Sequence, residues 1–161
     1  MFNKKQRFFS GFTLIEVLVT LGIVAILSYS LLGYNRSSEK INVLNRYSQR
    51  LLTDLRAAQN MAIQTQQYDG QSVQGWGVHF DPSTYKIFAN LSDVNRAYLE
   101  PVNLPSYLSL NSSISDIVFK PPLGDIIDNE GNSISEATIT ISFSSFSKTI
   151  SVTKIGNISL K

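Results

Sequence analysis

The sequence predicts an α+β chain in which one long N-terminal helix is followed by, and packed on, antiparallel β-sheets. Three observations carry this. Val17 to Tyr34 is a run of eighteen residues without a charge. No proline occurs before Pro82, and apolar residues behind that run continue at helical spacing. From Tyr68 onward the pattern changes to the alternation of strands, punctuated by turn residues.

As a helix, the uncharged run is about 27 Å long, close to the hydrocarbon thickness of a bilayer. Lys4, Lys5 and Arg7 precede it and place that side in the cytoplasm. The polar remainder of the chain then lies across the membrane. A secretory signal has a shorter apolar stretch with a small-residue cleavage site behind it, and no such site follows here. The processable junction, Gly11–Phe12, lies in front of the run instead. Glu16 stands at the start of the apolar stretch, where a carboxylate is costly in lipid and marks a functional position.

The basic leader, Gly11, Phe12, Thr13, Leu14, Ile15, Glu16 and the apolar run together resemble the class III signal of type IV pilins and type II secretion pseudopilins. The resemblance implies a leader, residues 1–11, that a prepilin peptidase removes after Gly11. It implies N-methylation of the new N-terminal Phe12, and a role in assembly for Glu16, the fifth residue of the processed chain. It also implies a single-pass inner-membrane protein whose partners are other pilins or pseudopilins and a membrane assembly platform, and whose final place is a filament in the periplasm or at the cell surface.

Residues 12–34 read as the membrane half of the helix and 35–67 as its amphipathic half. In the latter, Ile41, Leu44, Tyr47, Leu51, Leu55, Ala58 and Ala62 form a stripe at spacings of three and four. Arg46, Arg50, Asp54, Arg56 and Asn60 occupy other faces. Residues 68–161 read as an antiparallel β domain. Gly75 to Phe80, the turn Asp81-Pro82-Ser83 and Tyr85 to Ala89 predict a hairpin. Leu91 to Leu108, with Pro101 and Pro105, reads as irregular loop. Ile114 to Phe119 predicts a strand that Pro121-Pro122-Leu123-Gly124 ends. Ala137 to Phe143, Lys148 to Thr153 and Ile155 to Leu160 predict three more, the last two divided near Gly156-Asn157.

Leu51, Arg56, Ala58, Ala62 and Ile63 on the helix, the Gly75-to-Phe80 strand, the Phe119-to-Gly124 segment and the Ile155-Gly156-Asn157 turn are similar to the GspH/FimT branch of minor pilins and pseudopilins. That resemblance implies a structural minor subunit of a type IV pilus or type II secretion filament.

The chain has 161 residues and no cysteine, so one modest domain is expected beyond the anchor, without a disulfide framework or a thiol nucleophile. The formal charge of +2 includes Lys4, Lys5 and Arg7. Without these three of the 14 basic residues, 11 face 12 acidic ones, a balance of −1. No overall basic bias then points to nucleic acid. A DNA-binding minor pilin serving DNA uptake is the alternative function, because Arg36, Lys40, Arg46, Arg50 and Arg56 make a basic helix. The C-terminal segment, Lys154 to Lys161, carries two lysines and no arginine, which disfavours it.

Candidate chemistry is sparse, and an enzyme is not expected. His79, the single histidine, alternates with Val78 and Phe80 and should point away from the face they define, without evident partners. Asp125, Asp128, Asn129 and Glu130 lack the spacing of a calcium loop and read as a solvated turn. Trp76 reads as a sheet-packing anchor. No metal or cofactor is expected.

Overall fold

The computed structural model describes residues 12–92, 95–128 and 130–161, with the backbone alone over 30–37. The leader and Gly11 lie outside the described residues. The chain divides into an N-terminal unit ending at Glu39 and a unit spanning Lys40–Lys161. Helix α1, Leu14–Ile63, contributes to both.

In the first unit every described side chain from Phe12 to Tyr29 is exposed. Among the described residues no helix is long and apolar enough to cross a membrane. The described side chains stop at Tyr29, whereas the uncharged run of the sequence continues to Tyr34.

In the second unit α1 buries Leu44, Ser48, Leu51, Leu55, Ala58 and Ala62, with Leu52 beside them. Leu52 apart, these positions alternate in steps of four and three, so they share one face. Ser48 was missed because it is polar; its hydroxyl donates to the Leu44 carbonyl at 2.9 Å, which makes its burial tolerable. Tyr47, named for the stripe, is only partly buried beside it. The helix ends without glycine. Gln66 N–H donates to Met61 O at 2.9 Å and Thr65 N–H to Ala62 O at 3.0 Å, with Thr65 at φ 48°. This is a Schellman-type stop in which threonine takes the left-handed position that glycine usually fills.

Ten strands follow. They are β1 (Gly75–Asp81), β2 (Thr84–Ser92), β3 (Asn95–Tyr98), β4 (Val102–Asn103), β5 (Ser109–Ser112), β6 (Asp116–Lys120), β7 (Asp125–Ile127), β8 (Glu136–Phe143), β9 (Phe146–Thr153) and β10 (Ile158–Leu160). They form a six-stranded sheet, β3-β2-β1-β6-β7 with β4 beside β2, and a four-stranded sheet, β10-β9-β8-β5. The paired strands are antiparallel throughout. The β1–β2 hairpin is formed as expected, with Gly75 opposite Asn90 through Asp81 opposite Thr84.

The Leu91–Leu108 segment is not an irregular loop. It holds β3 and β4, which pair with β2. Neither has an apolar alternation of its own. Both are edge strands fixed by a partner already in place, and the prolines flank β4 rather than interrupt it. β5 has one inward side chain, Leu110, between polar neighbours, and β7 is three residues long, so both escaped the sequence pattern.

A single apolar core joins the α1 stripe, the inner face of the six-stranded sheet (Trp76, Val78, Phe80, Ile117, Phe119) and that of the four-stranded sheet (Ala137, Ile139, Ile141, Ile150, Val152). Polar contacts tie the helix across it. Trp76 Nε1–H donates to Gln66 O at 3.0 Å, and Gln59 Nε2 donates to Gly156 O at 2.7 Å. The buried Tyr85 hydroxyl donates to Asp54 Oδ2 at 2.6 Å.

Burial, and then the Asp54 carboxylate, hold the Tyr85 phenol well above its ordinary pKa. A phenol with a folded pKa above its unfolded value of about 10 contributes stability that is complete below that value and lost as pH rises towards the folded one. The urea midpoint of the Lys40–Lys161 unit is therefore expected to hold from about pH 7 to about pH 9 and to fall above about pH 10. Tyr85→Phe should show a smaller alkaline fall. An identical fall in both proteins would refute the assignment.

Candidate functional site

Two places concentrate function-bearing groups, one at the head of α1 and one on the outer face of the six-stranded sheet.

At the head of α1, Thr13 caps the helix. Its carbonyl accepts from the N–H of Glu16 at 3.1 Å and of Val17 at 3.2 Å, and its hydroxyl accepts from Glu16 N–H at 3.3 Å. Thr13-Leu14-Ile15-Glu16 thus has the spacing of a capping box, which puts the Glu16 carboxylate in the first turn, at the positive end of the helix dipole. Phe12, 77% exposed, lies immediately before the cap. Behind them come large apolar side chains on every face of the helix, Leu14, Ile15, Val17, Leu18, Val19, Leu21, Ile23, Val24, Ile26 and Leu27, all exposed. The hydroxyls within this stretch turn inward to the backbone: Thr20 donates to Val17 O at 2.9 Å and Ser28 to Val24 O at 2.8 Å. They need no water, as an apolar surrounding requires.

On the sheet, the face opposite the core carries Gly75, Gly77 and His79 from β1, with Phe88 and Val118 beside Gly77 in register. Phe88 lies over Gly77 so closely that a Cβ there would meet the ring at 2.6 Å. The Arg96 guanidinium stacks on Phe88, 4.6 Å from the ring centroid, and reaches Asp116 Oδ2 at 3.3 Å. Asp116 Oδ1 meets His79 Nδ1 at 2.7 Å. Asp116 is 4% exposed, so both of its oxygens are engaged in a buried bridge. Burial by itself would lower the Arg96 pKa, but contacts with Tyr98 and Asp116 outweigh it and hold the guanidinium above its ordinary value.

His79 does face away from Val78 and Phe80. It does not lack partners: Asp116 holds Nδ1, and Asp81 stands 3.4 Å from Nε2. The histidine cross-links β1 to β6. Trp76 is 3% exposed and anchors the sheet, as expected. Asp128 closes the turn after β7, accepting backbone N–H groups from Asn132 at 2.8 Å and Glu130 at 2.9 Å, and these hold its carboxyl below the usual range. Asn129 lies outside the described residues. Among the described residues no three His, Asp or Glu side chains gather as metal ligands.

Of the basic helix residues, Lys40 sits against the Tyr107 and Phe143 rings, Arg46 lies over the Tyr47 ring with Arg50 beside it, Arg50 pairs with Asp54 at 3.8 Å, and Arg56 reaches Ile158 O at 3.5 Å. The side chain of Arg36 lies outside the described residues.

A family model described as the prokaryotic N-terminal methylation motif matches residues 7–28. The chain carries a type IV pilin-like prepilin signal. Such a motif points to a membrane-anchored structural protein and implies, in general, processing by a prepilin peptidase and assembly with other pilins. The match ends within the exposed apolar part of α1, so it covers the head of the helix and not the folded unit. No curated protein and no solved structure matches the chain. The α+β architecture, a long helix with antiparallel sheets, is compatible with a pilin-like fold.

The sheet stack is testable by overpacking. Gly77→Ala places a methyl against the Phe88 ring and 2.5 Å from Ile117 O. It should cost about 1–3 kcal/mol in urea unfolding, whereas Ala at a strand position without such neighbours costs little. A stability unchanged in Gly77→Ala would mean that Phe88 does not rest on Gly77.

Proposed function

We propose that this chain is a minor pilin or pseudopilin of the GspH/FimT type, a structural subunit of a type IV pilus or type II secretion filament. The observation that carries the reading is the head of α1: a capped turn bearing Glu16, followed by a helix that is apolar on all sides and exposed on all sides. A helix of that kind requires lipid or other helices around it. Residues 12–34 serve as the membrane anchor, residues 35–67 continue as the amphipathic half of the helix, and residues 68–161 form the exported β domain.

Moving such a helix from lipid into a filament gains little from apolar burial, since lipid is as apolar as leucine. Direction has to come from packing and charge. Cleavage after Gly11 frees an amine on Phe12, which is then N-methylated. Glu16 pairs with that amine on the neighbouring subunit, in surroundings where the attraction is far stronger than in water and desolvation offsets part of it. The engagement of Lys40, Arg50 and Arg56 in contacts within the folded unit speaks against a continuous DNA-binding stripe.

Two outcomes are expected. Mass analysis of assembled protein should find methyl-Phe12 as the first residue, and recovery of material that still carries Met1 to Gly11 would contradict the processing step. Glu16→Gln and Glu16→Val should both insert in the membrane and be cleaved, then be depleted from sheared filaments, Val at least as severely as Gln. Wild-type amounts of Glu16→Val in filaments would leave packing of the apolar helix as the sole recruiting force.

A further inference from the structure

Where α1 enters the folded unit it meets a cluster of aromatic rings. Lys40, the first residue of that unit, holds its ammonium 5.3 Å from the centre of the Tyr107 ring and 5.2 Å from that of Phe143. The two rings meet edge to face, 5.8 Å apart. Phe146 stands opposite Phe143 across the β8–β9 hairpin and is 48% exposed, and Tyr107 is 38% exposed. We propose that this cluster docks the folded unit on the headgroup layer of the membrane in which α1 is anchored. The proposal rests on the anchor reading above and adds a second membrane contact, outside the prepilin signal.

Distance along the chain selects the partner. The uncharged run ends at Tyr34, six residues before Lys40. Fully stretched, those residues span at most about 22 Å, and as α-helix about 9 Å. The headgroup layer on each side of a bilayer is itself about 5–8 Å deep. A helical side chain tilts toward the helix N-terminus, so the Lys40 ammonium and the rings against it lie on the side of their turn that leads to the anchor. This end of the unit is therefore kept beside headgroups for as long as the chain is anchored, whereas any other partner has to arrive by assembly.

The chemistry of the cluster fits that layer. Tyrosine and lysine at the edge of a membrane segment set an apolar body on the hydrocarbon boundary and a polar tip among the headgroups. Here the three rings are the body. The Tyr107 hydroxyl, the Lys40 ammonium and the small hydroxyls of the Phe143-Ser144-Ser145-Phe146 turn are the tip. Ser144, at φ 53°, closes that turn and leaves both phenylalanines at the end of the hairpin.

Charge points to anionic lipid. Lys148, two residues past Phe146, shares its face of β9. Neither Lys40 nor Lys148 pairs with a carboxylate among the described residues. Residues 140–149 contain no acid, and two lysines against the adjoining Glu39 leave the patch positive. Lysines near a membrane surface are drawn to acidic headgroups.

The chain has no cysteine, so introduced thiols give single labelling sites. Ser145→Cys puts a fluorophore at the hairpin tip. Asn157→Cys puts one beside Gly156, whose carbonyl binds Gln59, 19 residues further along α1 than Lys40 and about 28 Å away on the helix. The full chain is placed in vesicles of phosphatidylethanolamine and phosphatidylglycerol that include a lipid with a nitroxide on its headgroup. Quenching should be strong at position 145 and slight at position 157. In the Ser145→Cys background, Phe146→Ser should reduce it about threefold, as should Lys40→Gln combined with Lys148→Gln. Phe146→Ser should unfold at the parent's temperature, since that ring lies outside the core. Equal quenching at the two positions, or quenching at 145 that survives both sets of substitutions, in chains that still float with the vesicles, would overturn the docking and leave the anchor standing. A chain that does not float with the vesicles would overturn the anchor reading and this proposal with it.

Discussion

One backbone hydrogen-bond ladder, from Leu14 to Ile63, must serve two surroundings. Over its first part the helix shows apolar side chains in every direction; over its last part it shows a single buried stripe and polar groups elsewhere. The difference lies in the side chains: beyond Lys40 the fully buried positions of α1 gather around Leu44, Ser48, Leu51 and Leu55. Because no proline intervenes, one helix carries both side-chain patterns. The type IV pilin-like signal coincides with the first of these regimes and stops there.

The folded unit solves a different problem. Two sheets and a helix share one core, yet the six-stranded sheet also has a second apolar layer on its outer face. Gly77 lets the Phe88 ring lie flat on the strand, Arg96 covers the ring, and Asp116 draws Arg96 and His79 together. A buried carboxylate is expensive unless its oxygens are matched, and here each oxygen has its own cation or imidazole. The arrangement ties β1, β3 and β6 without adding to the core.

The helix, the β1–β2 hairpin and the β8–β9 pair were legible because each repeats a period over many residues. Ser48 was not, since burial of a hydroxyl depends on a carbonyl one turn back. β3, β4, β5 and β7 were not, since each is short and takes its conformation from a neighbour, which one-dimensional periodicity does not encode. The head of α1 was read from a dense local motif, Gly11 to Glu16. The His79–Asp116–Arg96 bridge was invisible, because its members are far apart in sequence and only the sheet register aligns them.

The clasp between the helix and the final strand bears on the timing of folding. Gln59 donates to Gly156 O and Arg56 reaches Ile158 O, contacts that span 97 and 102 residues. Ile158 itself is part of the core. An early element of the unit is thus held by residues 97 and 102 positions further along the chain. Contacts of such long sequence separation slow folding, because the entropy of closing the loop precedes its reward. The helix is without this clasp until β10 is in place, so a chain truncated before Gly156 lacks lateral support for α1 as well as an edge strand.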